Sequence, residues 1–224
     1  MKPNQPAPQP SSDLRARVLQ SIRAAPAPTR GEVLWRNFVL GLAGTGVMLA
    51  VFGWASGLRQ EPRATSLVLE TSVGAAVLTL LAMGLVLGRG RSALGPPGAS
   101  RLAAAVGLPL ALLLWKVGVS AQFAGMMDRW PDRPGLKCLA LGTVMALGPF
   151  AALVAMLQRT EPNHPRLLGS ALGVLAAGVA WVFTDLWCPV AYVPHLLLGH
   201  ALPVAILAGL GAAVGRWKLG FGVS

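Results

Sequence analysis

The chain has 224 residues, 54% hydrophobic and 12% charged, with a mean hydropathy of +0.60 and a formal net charge of +11. A soluble domain carries about a quarter charged residues, so the composition excludes an ordinary soluble fold and points to an all-α polytopic membrane protein built as one helical bundle. The basic residues cluster between apolar blocks, as the positive-inside rule arranges them, which argues for topology and against direct binding of nucleic acid.

Residues 1–37 are predicted to form a cytoplasmic tail that buries no core. Met1–Pro10 is rich in Pro, Asn and Gln, a composition that favours disorder. The run from Ser11 to Arg23 predicts one short amphipathic helix, capped by Ser12 or Asp13, whose side-chain oxygens accept first-turn amide protons. Leu14, Val18 and Ile22 recur every four residues as an apolar stripe with Leu19 beside it, flanked by Arg15, Arg17 and Arg23. Pro26 and Pro28 end the segment. So short a helix is marginal alone, and its stripe needs either the membrane surface or a protein partner.

Six membrane spans are predicted at about 38–58, 68–88, 102–125, 136–158, 167–187 and 193–215, each near the ~20 residues that cross ~30 Å of hydrocarbon. They make a transmembrane domain over 38–216, followed by a cytoplasmic tail at 217–224. The first apolar block is long enough to span, so a cleavable signal is not expected. Pro, Gly and charged residues mark the connections; in the last hairpin the breaks are Cys188-Pro189 and Pro194. Counting Lys and Arg on alternate sides gives thirteen against five, with Lys116 inside a span, which predicts both termini in the cytoplasm. The paired glycines Gly53/Gly57, Gly84/Gly88, Gly169/Gly173 and Gly211/Gly215 predict close helix packing within the bundle. Trp54, Trp130, Trp181, Trp187 and Trp217 fall near span ends, as an interfacial belt does.

Four polar groups inside or at the edge of spans need partners: Glu70, Lys116, Asp185 and His200. All are expected in the outer half of the bilayer, where Lys116 can pair with Glu70 or Asp185, or the groups can reach the headgroups. Cys138 opens the fourth span and Cys188 sits in the last outer hairpin. The two thiols can form a disulfide, act with His195 as a redox- or metal-responsive group, or stay inert. His195 and His200 are five residues apart and do not share one face of an α-helix, so no metal site is assigned. The chain contains no His-Glu-x-x-His, Gly-x-Ser-x-Gly, P-loop or dinucleotide-binding glycine pattern. An enzyme is therefore not expected, nor are catalytic residues or a cofactor.

The arrangement of a short tail with one amphipathic helix, six spans, Gly-Leu-Lys-Cys-Leu-Ala-Leu at 135–141, Trp-Cys-Pro at 187–189 and Gly-Leu-Gly-Ala-Ala-Val-Gly-Arg at 209–216 resembles a known family. It is similar to the six-span bacterial membrane anti-sigma factors of the NrsF-like kind and, in its Ala-, Gly- and Arg-rich style, to CarR-like myxobacterial regulators. The resemblance is strongest over residues 134–216. It implies a negative regulator of transcription in the bacterial inner membrane. Its tail would bind an extracytoplasmic-function sigma factor through Leu14, Arg15, Val18, Leu19, Ile22 and Arg23. It would release that factor on a stress or light/singlet-oxygen signal, as in control of carotenoid synthesis. Release would follow a conformational change or the action of a protease or relay protein of the membrane. In relatives, cysteines at the positions of Cys138 and Cys188 are associated with sensing. The chain departs from the pattern after Pro189, where Val190-Ala-Tyr-Val193 stands in place of acidic and Ser-Pro residues. The alternative is a small six-span transporter or channel using Glu70, Lys116 and Asp185.

Overall fold

The computed structural model describes residues 28–55, 65–88, 98–122, 135–158, 160, 161, 163–188, 190 and 192–220, with Ser11, Asp13, Ala16 and Gln20 of the tail. Two compact units are distinguished, Met1–Arg36 and Asn37–Ser224. Among the described residues six helices are long and apolar enough to cross a membrane: α1 Arg30–Trp54, α2 Thr65–Leu87, α3 Gly98–Ala121, α4 Leu136–Met156, α5 Pro165–Trp187 and α6 Val193–Lys218. The six-helix expectation thus agrees with the structure. In the tail, Asp13, Ala16 and Gln20 are helical and exposed. Leu14, Arg15, Val18, Leu19, Ile22 and Arg23 lie outside the described residues.

Helix α1 begins well ahead of the apolar block at Phe38 because the sequence supplies a capping box. The Thr29 amide donates to Glu32 Oε2 (2.7 Å), and the Glu32 amide donates back to Thr29 Oγ1 (3.3 Å). This reciprocal pair satisfies two amides that a helix start otherwise leaves unbonded.

Within the second unit, α5 is the central helix. Its apolar window is 72% buried, against 11–44% for the others, and it packs on α2, α3, α4 and α6. Its contact with α6 is backbone to backbone. A Cβ added at Gly169 would collide with the carbonyl oxygen of Gly211, one at Gly173 with that of Leu207, and one at Gly215 with that of Pro165. Gly169/Gly173 and Gly211/Gly215 therefore form one intramolecular seam, whose dispersion contacts hold helices together where no aqueous hydrophobic effect acts. Gly44 and Gly148 provide a similar approach of α1 to α4. Gly53 and Gly84 face open space.

Apolar side chains such as Phe38, Leu42, Leu80, Leu114 and Ile206 are exposed on the outside of the helices, as a lipid-facing surface requires. The buried hydroxyls of Thr71, Thr79 and Thr184 donate to carbonyls four residues back at 2.8–2.9 Å, so they enter the bundle without stranding a donor. Trp54 and Trp217 are exposed, in keeping with an interfacial belt. Trp181 is not; it is buried against His200, with ring centroids 5.0 Å apart.

The seam gives a test. Gly169→Val forces α5 away from α6 and is expected to cost at least about 1–3 kcal/mol, whereas Gly84→Ala changes stability by less than about 0.5 kcal/mol. Thermal unfolding in detergent measures both.

Candidate functional site

At the end of the bundle where α3 and α5 finish and α4 and α6 begin, the structure gathers six polar side chains out of the apolar core. Lys116 of α3 and Asp185 of α5 meet there. Cys138 comes from α4, Cys188 caps α5, and His195 and His200 come from α6. All six residues are at most 3% exposed.

The ion pair is the innermost part. Lys116 Nζ lies 2.9 Å from Asp185 Oδ1, with both side chains almost wholly enclosed. Removing both charges from water costs several kcal/mol each, so each holds its position only because the other is present. Of the two acids available to Lys116 the structure selects Asp185. Glu70 is exposed and stands apart; its carbonyl accepts a hydrogen bond from Trp115 Nε1 at 3.1 Å. His200 Nδ1 is 3.8 Å from Asp185 Oδ1, which ties the ion pair to the histidines.

The two histidines come together through a local departure from α geometry. Residues Leu197–Ala201 form a π-helical turn, in which the Leu202 amide bonds to the Leu197 carbonyl five residues back. Pro203 supplies the reason. It has no amide hydrogen to give the Gly199 carbonyl, and its ring crowds the preceding turn. Widening to an i→i+5 pattern stacks residues five apart, so the rings of His195 and His200 lie 5.6 Å apart. The expectation that these histidines occupy different faces is corrected by this turn.

Two glycines bring Cys138 to the same place. Gly135, directly before α4, has φ 98°, a left-handed conformation that other residues adopt at a cost. A Cβ there would press on the His195 carbonyl and the Gly199 amide at 3.1 Å; one at Gly199 would press on Cys138 Cβ at 3.0 Å. The start of α4 therefore abuts the π turn directly. Cys188 closes the group, its Sγ 3.1 Å from His195 Nε2. One donor atom from each of Cys138, Cys188, His195 and His200 falls within 4.8 Å of the other three. Both cysteines are free thiols. Chemically the cluster can coordinate a soft cation, or lose two electrons and two protons to an oxidant to become a disulfide.

A second buried ion pair occupies the opposite end of the bundle. Arg101, in the first turn of α3, pairs with Glu161 at 2.5 Å, both enclosed. Glu161 also accepts the amides of Asn163 (3.2 Å) and His164 (3.0 Å) just before α5, and its own amide donates to the Leu219 carbonyl at 3.1 Å. In the sequence both residues are inconspicuous charges in the connections between apolar blocks. The signal that could have exposed them is their position at helix starts, where buried amides demand an acceptor. Helix α3 is thus pinned by one ion pair at each end, about 22 Å apart along its axis.

Asp185→Ala leaves the Lys116 ammonium buried without its carboxylate and is expected to cost about 3–5 kcal/mol, while the combined replacement Lys116→Met with Asp185→Leu costs much less. Equal losses in thermal unfolding of the two proteins would show that the pair is not the stabilising contact.

With this geometry in place, comparison with known proteins gives a family. The model described as NrsF, negative regulator of sigma F, matches residues 20–221. A probable anti-sigma-F factor NrsF from Azospira oryzae (strain ATCC BAA-33 / DSM 13638 / PS) is 33% identical over 137 residues, covering 55% of this chain and 62% of that protein. A puromycin resistance protein, pur8, from Streptomyces alboniger is 34% identical over 142 residues, covering 60% of this chain and 27% of that protein. The matched region is under two thirds of the length of either relative. No solved structure matches. The family is one of regulators rather than enzymes, and its match runs through all six helices: the chain belongs to the NrsF family of negative regulators of sigma F.

Proposed function

We propose that this chain is an anti-sigma factor of the bacterial inner membrane that holds an extracytoplasmic-function sigma factor at the cytoplasmic face and releases it on a stress signal. The observation that carries the reading is the family match over residues 20–221, joined to a relative described as a probable anti-sigma-F factor. The charge asymmetry of the connections supports cytoplasmic termini, thirteen Lys and Arg against five. On that topology the tail, residues 1–37, faces the cytoplasm, and the cluster of Cys138, Cys188, His195, His200, Lys116 and Asp185 faces outward. The cluster is then the input end and the tail is the output.

In the tail, the stripe of Leu14, Val18, Leu19 and Ile22 docks in an apolar groove of the sigma factor, with Arg15 and Arg23 meeting acidic groups at its rim. At the far end, Cys138, Cys188 and His195 receive the signal, an oxidant or a thiol-seeking species. A light or singlet-oxygen stimulus instead acts through other membrane proteins, and release follows a conformational change or proteolysis of the chain. The transporter alternative is weakened by the way the spans use their charges: Lys116 and Asp185 satisfy each other, and Glu70 stands apart from them.

The test is repression of a sigma-dependent reporter by the full-length chain. Leu14→Asp with Val18→Asp is expected to raise reporter output to the level seen without the protein, with membrane insertion unchanged. Repression that survives the double substitution would remove the stripe from the mechanism. Residual repression after deletion of residues 1–30 would remove the tail altogether.

A further inference from the structure

We propose that Cys138, Cys188, His195 and His200 form a four-ligand site for a resident zinc ion, with Asp185 and Lys116 as its supporting shell. The proposal deepens the outward cluster of the reading above, but the site itself rests on geometry and not on any role in repression.

Four observations carry it. The first is the ligand set. Two thiols and two imidazoles are what a closed tetrahedral zinc site uses, and the four donor atoms already lie within 4.8 Å of one another. Tetrahedral zinc with bonds of about 2.0–2.3 Å sets neighbouring donors roughly 3.3–3.8 Å apart, so the Cys188–His195 contact of 3.1 Å opens only by a few tenths of an ångström.

The second is His200. Its side chain is buried, and neither ring nitrogen makes a hydrogen bond of good geometry; its polar neighbours are the Cys188 thiol and Asp185 Oδ1 at 3.8 Å. Leaving buried ring nitrogens without a well-formed hydrogen bond costs free energy, which ligation through one of them recovers.

The third is the supporting shell. Histidines that bind zinc commonly turn their other ring nitrogen to a carboxylate, which fixes the ring and raises its basicity. His200 Nδ1 faces Asp185 Oδ1 at 3.8 Å, and that carboxylate is held in turn by Lys116 at 2.9 Å. Ligation through Nε2 makes use of this arrangement.

The fourth is charge. On binding, each thiol gives its proton to solvent and each sulfur becomes a thiolate ligand. Zn²⁺ with two thiolates and two neutral imidazoles carries no net charge, and neither does Lys116 with Asp185. The occupied cluster is therefore neutral throughout, as burial at the end of an apolar bundle demands. The structural devices converge on this assembly: the π turn aligns the histidines, and Gly135 and Gly199 bring Cys138 against them.

The full-length protein, extracted in mild detergent under reducing conditions without chelator, is expected to hold about one zinc per chain by elemental analysis, as a closed site does. Replacing zinc by Co²⁺ should give the intense visible bands of tetrahedral cobalt and an ultraviolet thiolate-to-cobalt transition. Cys188→Ser and His200→Ala should lose both signals, whereas His195→Cys, which keeps four ligands, should retain metal with a shifted cobalt spectrum. Asp185→Asn should bind zinc about 10–100-fold more weakly. Absence of zinc and of cobalt bands in the wild-type protein would overturn the proposal, as would zinc that persists when both cysteines are Ser. A Cys138–Cys188 disulfide in protein that refuses zinc after reduction would overturn it too. Reporter repression is read separately, so a metal-free protein that still represses removes the site and leaves the anti-sigma reading standing.

Discussion

The bundle depends first on the Lys116–Asp185 ion pair. A lysine enclosed within an apolar bundle is among the most expensive residues a membrane protein carries, and here its cost is met by a single carboxylate on the central helix. That requirement fixes the rotation of α3 against α5. It also places Asp185 beside His200, so the cysteine–histidine cluster is assembled around a contact that the hydrocarbon itself enforces. The Arg101–Glu161 pair does the same at the other end, where one glutamate joins the start of α3, the approach to α5 and the backbone of Leu219. Between these two fixed points α3 behaves as a strut.

This architecture suits a relay better than a catalyst or a conduit. The groups that carry chemistry sit together at one end, enclosed, with their charges paired. The segment proposed to meet the partner stands at the beginning of the chain, before α1. A change at the cluster, whether loss of a ligand or formation of a sulfur–sulfur bond, alters the contacts of His200, then of Asp185, then of Lys116. Each of these residues belongs to a different helix. The α5–α6 seam, backbone against backbone, leaves few side chains between these helices to repack.

Much of the fold was legible because lipid imposes simple rules. Six apolar blocks of the right length read directly as six helices, and Lys116 announced itself as needing an acid. The glycine pairs of α5 and α6 were also readable as packing surfaces, although the same spacing at Gly53 and Gly84 faces open space. Less legible was anything that depended on local backbone form. The histidines look misaligned on an α-helical wheel, and only the π turn that Pro203 induces puts them side by side. Gly135 looked like loop punctuation, although its left-handed conformation is what delivers Cys138. Arg101 and Glu161 were hidden by their positions, because charges at helix ends are abundant and few are buried. The start of α1 was missed because Thr29 and Glu32 precede the apolar run that marks the span, and the capping signal is polar.

The central claim is that the amphipathic stripe of the tail grips a sigma factor rather than the lipid surface. Placing a photo-crosslinking residue at Ile22 of the full-length chain, in intact cells, tests it most directly. The account predicts a single protein adduct, identified by mass spectrometry as a sigma factor, that disappears when the inducing stress is applied. Crosslinks to phospholipid alone, unchanged by stress, would contradict it.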